Sequence, residues 1–220
     1  MTTHYLNSLF SPYSIAMFGA SDREQSVGEI VFRNLRDAGY QGKLYPVNPK
    51  YSEVQGIKAY PSLKEIDEPI DLAVVATPAK TIPDIVEACA EHGVRMMIIL
   101  SAGFREAGPE GSRLEDQVMQ AARQHGIRIM GPNCLGLSRP AKQLNITFGN
   151  NNAQPGNLAL VSQSGAICTA ILDWAESNDI GFSAVVSTGI STDLDFGDYL
   201  DFLVSDHLTN SILLLYRGHS

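Results

Sequence analysis

Five short apolar runs, set between stretches of helical period, constrain this chain more than anything else in it. Ser14–Phe18, Lys43–Val47, Asp71–Ala76, Met96–Leu100 and Ile127–Met130 read as strands. They alternate little between apolar and polar residues, as parallel strands do when both faces of their sheet are covered. Between them apolar residues recur at helical spacing: Val27, Val31, Leu35 and Ala38, then Ile82, Ile85, Val86 and Cys89, then Leu114, Val118, Ala121 and Ala122. Gly39, Gly93 and Gly126 stand where those helices should end, because glycine accepts the left-handed conformation that closes a helix. A weaker helix is read at Pro61–Ile66. Strand alternating with helix predicts an α/β fold built on a doubly wound sheet.

The rhythm then breaks. Lys142–Gly156, KQLNITFGNNNAQPG, is polar and rich in Asn, and reads as a linker or irregular crossover. It resumes with a strand at Asn157–Val161 and a helix with Ala166, Ile167, Ala170, Ile171 and Trp174 on one side. A strand at Phe182–Val186, a helix near Asp198–Val204 and an apolar run at Ile212–Tyr216 follow. This second set is the beginning of another α/β domain and not the whole of one. The expected divisions are 1–141, a linker over 142–156, and an incomplete domain over 157–220. Ile212–Tyr216 is expected to be an internal strand of a longer domain, and the chain a shortened form of a longer protein. Its apolar surface should be exposed or buried by another chain.

Composition removes several classes of function. Hydrophobic residues make up 44% and charged residues 18% of 220 residues, an ordinary globular balance that suffices for one large or two small domains. Lys and Arg number 16 against 24 Asp and Glu, a formal charge of −8, so no nucleic-acid partner is expected. No apolar stretch approaches the roughly 18 residues of a membrane span, and MTTHYLNSLFSPYS lacks the basic and apolar regions of a secretory signal. Cys89, Cys134 and Cys168 form no CxxC pair, so neither a disulfide framework nor a metal site is expected, and three free thiols fit a reducing cytoplasm. Cys134, beside an expected loop, reads either as a reactive thiol or as a small buried residue. His4, His92, His125, His207 and His219 neighbour no glycine-rich loop, and none is assigned a catalytic role.

In an open α/β sheet, ligands bind at the carboxyl ends of the strands. The first strand ends in Gly19-Ala20-Ser21, and Ser26-Val27-Gly28 opens the next helix. Small residues there let a phosphate approach backbone N–H groups at a helix N-terminus, although a tight turn has the same composition. A GxGxxG fingerprint is absent. Asn48-Pro49-Lys50 stands where a nicotinamide dinucleotide site would place an acid. Lys50 reads either as a phosphate contact or as a solvated surface residue. Thr77-Pro78-Ala79, Ser101-Ala102-Gly103-Phe104 and Gly131-Pro132-Asn133 end the next strands. In a row they make a long groove, suited to a nucleotide carrying an extended arm; singly, each reads as a turn. In the second unit Val161-Ser162-Gln163-Ser164-Gly165 again joins strand to helix, with Ser187-Thr188-Gly189 ending the following strand. A phosphate could sit on that helix N-terminus, and Ser162 or Ser164 also serves as its cap. GxSxG is absent, which argues against a hydrolase.

Four segments in this order, SIAMFGAS at Ser14–Ser21, YPVNP at Tyr45–Pro49, GPNCLG at Gly131–Gly136 and VSQSG at Val161–Gly165, resemble the N-terminal part of the NDP-forming acyl-CoA synthetase superfamily. That superfamily includes ADP-forming acetyl-CoA synthetases, the succinyl-CoA synthetase α subunit and protein lysine acetyltransferases that carry a GNAT domain. The resemblance implies a Rossmann-like CoA-binding domain followed by an incomplete flavodoxin-like succinyl-CoA-synthetase domain. It implies that Gly19, Ala20, Ser21, Ser26, Val27 and Gly28 meet the CoA phosphates. Asn48 falls in the matching cofactor-binding set, and Lys50 would meet an anionic part of CoA. Thr77, Pro78, Ala79, Ser101, Gly103, Phe104 and Asn133 would line the groove for CoA or acyl-CoA. Ser162, Gln163, Ser164, Gly165 and Gly189 match loops that hold the phosphate of a phosphohistidine intermediate. The active His and the ATP-grasp portion that handles ATP, ADP and Mg are expected only in the complete parent protein, and His219 is not in a matching motif.

The reading that follows is a CoA-binding portion of an acid–thiol ligase, with a homo-oligomer or a missing ATP-grasp or GNAT domain as partner. An acyl-CoA-sensing module of an acetyltransferase and an NAD(P)-dependent oxidoreductase are the alternatives.

Overall fold

A computed structural model of the chain describes residues 4–149 and 153–216. In chain order the first part contains α1 (Asn7–Phe10), β1 (Ser14–Phe18), α2 (Val27–Asp37), β2 (Lys43–Val47), β3 (Glu53–Val54), β4 (Ile57–Lys58), β5 (Leu72–Val75), α3 (Ile82–His92), β6 (Met96–Ile99), α4 (Pro109–His125) and β7 (Arg128–Met130). All five expected strands are present and pair in parallel in the order β2-β1-β5-β6-β7.

The missing alternation has its cause in the packing. Ile15, Met17, Leu72, Val74, Met96 and Ile98 face a core closed by Val31, Phe32 and Leu35 of α2. Their neighbours Ala16, Phe18, Ala73, Val75, Met97 and Ile99 face a second core closed by α3 and α4. Successive side chains of a strand point to opposite faces, so a strand buried on both must be apolar throughout. The helices end as expected on left-handed Gly93 and Gly126. Pro61–Ile66 yields only a single 3-10 turn at Leu63–Glu65.

The second part contains β8 (Gly136–Arg139), β9 (Leu144–Thr147), β10 (Pro155–Ser162), α5 (Gly165–Glu176), β11 (Phe182–Ser187), α6 (Phe196–Ser205) and β12 (Ser211–Leu215). Its sheet has the order β12-β10-β11-β8-β9, parallel across β12, β10 and β11 and antiparallel beyond. The linker expected over 142–156 is therefore corrected: residues 144–147 are a fully buried strand, and β10 already begins at Pro155. Two of the polar residues that suggested a linker satisfy each other. Asn145 Oδ1 accepts from the N–H and hydroxyl of Thr147, which is what buried polar groups require. The hairpin β8–β9 belongs by hydrogen bonding to the second sheet, and Asn34 of α2 donates to the carbonyls of Thr147 and Gly149 beside it.

The inner face of α5 also departs from expectation. Cys168, Leu172 and Ala175 are buried, while Ile167 and Trp174 are 44% and 58% exposed. Small Cys168 and Ala175 let the helix sit close to Leu160, Phe182 and Val185, and the bulkier flank is left outside. The outer strand β12 exposes Leu213 and Leu214, and Tyr216 follows it at the surface, the exposed apolar surface anticipated there.

Several contacts join the two parts, and two of them are extensive. Ile190–Leu194, beyond β11, runs along the edge of the first sheet: the N–H groups of Ile190, Thr192 and Leu194 donate to the carbonyls of Pro132, Gly131 and Ile129. Arg139 of β8, almost fully buried, donates to Asp206 at 2.7 Å, and its guanidinium lies 5.7 Å from the ring centroids of both Phe10 and Phe202. Removing one partner of such a pair leaves a buried charge uncompensated. Asp206→Ala is expected to lower the unfolding free energy by about 3 kcal/mol, measured by denaturant titration.

Candidate functional site

The first crevice follows from strand order. The connection leaving β1 runs through α2 on one face, and that leaving β5 runs through α3 on the other. The carboxyl ends of β1 and β5 thus flank the switch point, where an open sheet binds its ligand. Gly19 has φ 85°, and a Cβ there would lie 2.9 Å from the Ala76 carbonyl oxygen. A Cβ on Gly28 would lie 1.9 Å from the Gly19 carbonyl oxygen. The first turn of α2 therefore rests on the backbone of the β1 turn, and side chains are excluded at both contacts. Ser26 caps the helix by accepting from Glu29 N–H. First-turn N–H groups have no partner within the helix; the Ser26 hydroxyl takes that of Glu29, and those of Val27 and Gly28 lie at the end of the Gly19–Ser26 loop.

The other strand ends are linked in series. Asn48 Nδ2 donates to the Ala20 carbonyl at 2.8 Å, and Asn48 Oδ1 accepts from Lys50 N–H. Ser101 Oγ donates to the Thr77 carbonyl, and Asn133 N–H donates to the Ser101 carbonyl. Ala20 is buried, Ser21, Thr77 and Ala79 are half-buried, and Val27 and Pro78 are exposed along this rim. Gly103, with φ 108°, sits against Ala79. Phe104 is corrected: its ring is fully buried in the core under α4 and is not offered to a ligand.

Lys50 is exposed and has no ion pair among the described residues. The structure adds Arg23, exposed in the Gly19–Ser26 loop and equally without an ion pair among them. It adds Gln55, at the turn of the β3–β4 hairpin, which donates from its backbone to Asp22 and from its side chain to the Glu29 carbonyl. The hairpin thereby pins the same loop.

A second crevice opens where α5 and α6 leave β10 and β11 on opposite faces. Ser162 Oγ accepts from Ser164 N–H, and Ser164 Oγ accepts from Ile167 N–H to cap α5. Gln163 is half-buried between them. Thr188 N–H donates to the Ser162 carbonyl, and the Thr188 hydroxyl is buried without a partner. The two crevices meet at Gly131–Gly136. Leu135 N–H donates to Ser187 Oγ at 3.1 Å, and a Cβ on Gly165 would lie 3.0 Å from Leu135 Cβ. Gly189, at φ 63°, rests on Pro132 and Asn133, whose carbonyl oxygens would be 2.4 and 2.6 Å from an added Cβ. Gly131–Gly136 thus touches the loops that sequence assigned to two sites and joins their rims, with Asn133 exposed at the junction.

Among the described residues no group of His, Cys, Asp and Glu could hold a metal ion. His4, His92 and His125 pair with Asp201, the Glu68 carbonyl and Glu87, and His219 lies outside the described residues. Burial pushes the Cys89 and Cys134 thiols up to about 12 and Cys168 to about 11. Of the two readings of Cys134, the small buried residue is the one observed.

Comparison with known proteins decides the family. Residues 13–140 match the family described as CoA binding domain, and residues 155–219 match the succinyl-CoA ligase like flavodoxin domain. The chain belongs to the CoA-binding domain family. It is 42% identical over 217 residues to the ADP-forming acetate–CoA ligase I subunit alpha of Pyrococcus furiosus, covering 97% of this chain and 47% of that protein. It is 37% identical over 210 residues to the ADP-forming 4-hydroxybutyrate–CoA ligase of Nitrosopumilus maritimus, covering 94% of this chain and 30% of that one. The solved dinucleotide-forming acetyl-coenzyme A synthetase 1 of Ca. Korarchaeum cryptofilum, in complex with phosphate and ADP, superposes with a TM-score of 0.93 at 35% identity. That match covers 98% of this chain and 46% of the other. The chain spans about half or less of the length of these proteins. The resemblance to the NDP-forming acyl-CoA synthetases is thereby established, with the CoA-binding domain ahead of the ligase-like one. The acetyltransferase expectation is not borne out by these relatives. No described helix is long and apolar enough to cross a membrane.

The three thiols of this CoA-binding-family chain should resist iodoacetamide in the native state near neutral pH and all react after unfolding, as read by mass spectrometry. A thiolate is the reacting species, and burial suppresses it. Rapid native labelling of Cys134 would contradict the burial described.

Proposed function

We propose that the chain binds CoA or acyl-CoA along the carboxyl ends of the first sheet and delivers the thiol end to the Ser162–Gly165 turn. It does so as the CoA-binding part of an ADP-forming acid–thiol ligase. The observation that carries the reading is the meeting of the two crevices at Gly131–Gly136. One ligand with a nucleotide at one end and a long arm can follow that rim; a compact ligand has no use for its length.

The residues divide the work by chemistry. The phosphates of CoA take the N–H groups of Val27 and Gly28 at the α2 N-terminus, beside the Ser26 hydroxyl and close to backbone left bare by Gly19, while the Ser26 N–H is held by the Arg23 carbonyl. Lys50 and Arg23 supply cations without ion pairs to displace. Ser21, Thr77, Pro78, Ala79, Ser101, Gly103 and Asn133 border the arm. Asn48 acts as a clamp between loops, since both ends of its amide are engaged. In thiol acylation the sulfur attacks the carbonyl carbon of an acyl phosphate, the C–O bond to phosphate breaks, and phosphate departs. The N-terminus of α5, with Ser162, Gln163, Ser164, Gly165 and Gly189 around it, is suited to hold that anion. A phosphorylated His, ATP or ADP, and Mg are supplied in the complete ligase by a partner domain. The three reduced thiols suit a cytoplasmic setting. A nicotinamide cofactor is disfavoured because Asn48, already engaged, stands where the ribose-binding acid belongs.

Isothermal titration with CoA and acetyl-CoA tests the reading. Both are expected to bind, NADH is not, and Lys50→Ala is expected to weaken CoA by about tenfold, the worth of one charge-assisted contact. No binding of CoA or acetyl-CoA at millimolar concentration, by a sample with native circular dichroism, would overturn it.

A further inference from the structure

Glu115 of α4 is 2% exposed, and an acid is rarely buried unless it is paired. Its partners come from two directions. Arg105, in the loop after β6, donates through Nε to both carboxylate oxygens at 2.8 and 3.0 Å and through its backbone N–H at 3.2 Å, with a further guanidinium contact to Oε1. Thr192, in the loop after β11, donates its hydroxyl to Oε1 at 2.6 Å. Burial alone would raise this carboxyl, but the donations from Arg105 and Thr192 outweigh it and hold it below its ordinary value.

The two loops are those that border the rim. The first carries Ser101 and Gly103, and it is locked to α4 because a Cβ on Gly111 would lie 1.8 Å from the Phe104 carbonyl oxygen. The second carries Gly189, and its hydrogen bonds to Gly131 and Pro132 reach the junction of the crevices. No other carboxylate among the described residues is hydrogen-bonded to both loops.

We infer that Glu115 is a positioning residue that ties the groove loop, Ser101–Ala107, to the loop Thr188–Leu194 beside the phosphate turn. A ligand that orders one loop then orders the other. The identity of the ligands rests on the proposed function, whereas the tie itself does not. Because coupling between sites is reciprocal, filling the groove prepares the turn, and filling the turn prepares the groove.

Hydrogen exchange of the whole chain, read by mass spectrometry with and without CoA, tests this. Ile190, Thr192 and Leu194 are suitable reporters, since their N–H groups bond to the first sheet. Without ligand, Thr192→Val is expected to speed exchange over Ile190–Leu194 by about tenfold, the loss of one hydrogen bond to a charged group. It should leave Gly103–Ala107 unchanged. Glu115→Gln should speed both segments, and Thr192→Ser, which keeps the hydroxyl, should match the natural chain. With CoA, the natural chain should slow in both segments, and Thr192→Val only in Gly103–Ala107. Unchanged exchange over Ile190–Leu194 in ligand-free Thr192→Val overturns the tie. Retention of the CoA-induced slowing there in Thr192→Val overturns the coupling. If CoA leaves even Gly103–Ala107 of the natural chain unaltered, the CoA reading fails, while the ligand-free comparison still decides the tie.

Discussion

The edge of the first sheet is where the two halves of this chain become one structure. A parallel sheet must end somewhere, and an unpaired edge leaves N–H and C=O groups exposed. On the β7 side that edge is taken by Ile190–Leu194, which comes from the second half and donates three backbone hydrogen bonds to it. Arg128, at the start of β7, adds ion pairs to Asp193 and Asp198. With the strand pinned along its length, its carboxyl end delivers Gly131–Gly136 against Ser187 and Gly165. The meeting of the crevices is a consequence of how that edge is closed.

The same closure explains why glycine recurs along the rim. Gly19, Gly28 and Gly189 each stand where another segment's backbone approaches within 1.9 to 2.9 Å of the place a Cβ would occupy. These contacts bring helix starts and strand ends together, so that the N-termini of α2 and α5 open onto turns lined by small residues. An extended ligand, as proposed above, would be recognised there mainly by backbone, which is compatible with a chain whose formal charge is −8. Few local cations are needed when the anion meets aligned N–H groups.

What the sequence revealed follows from the range of the interactions. The five parallel strands were legible because burial on both faces makes every position apolar, a local signature. The glycine turns were legible because strand, small residues and helix adjoin in sequence. The strands β8 and β9 were not, because Arg139 is made tolerable by Asp206, 67 positions away, and Ser138 and Asn145 are buried polar residues in the same hairpin. The inner face of α5 was misjudged since a count of apolar residues favours Ile167 and Trp174, whereas close packing selected Cys168 and Ala175. Phe104 adjoins the rim in sequence, and its ring nonetheless turns into the core. Glu115 left no trace in sequence at all; its partners lie 10 and 77 positions away.

The central claim is that both crevices serve one ligand. Titrating CoA into isotopically labelled chain while following assigned amide resonances tests it most directly. The account predicts that Gly19, Gly28 and Gly103 shift together with Gly165 and Gly189, along a single saturation curve. Shifts confined to the first sheet, with Gly165 and Gly189 unmoved at saturation, would contradict it.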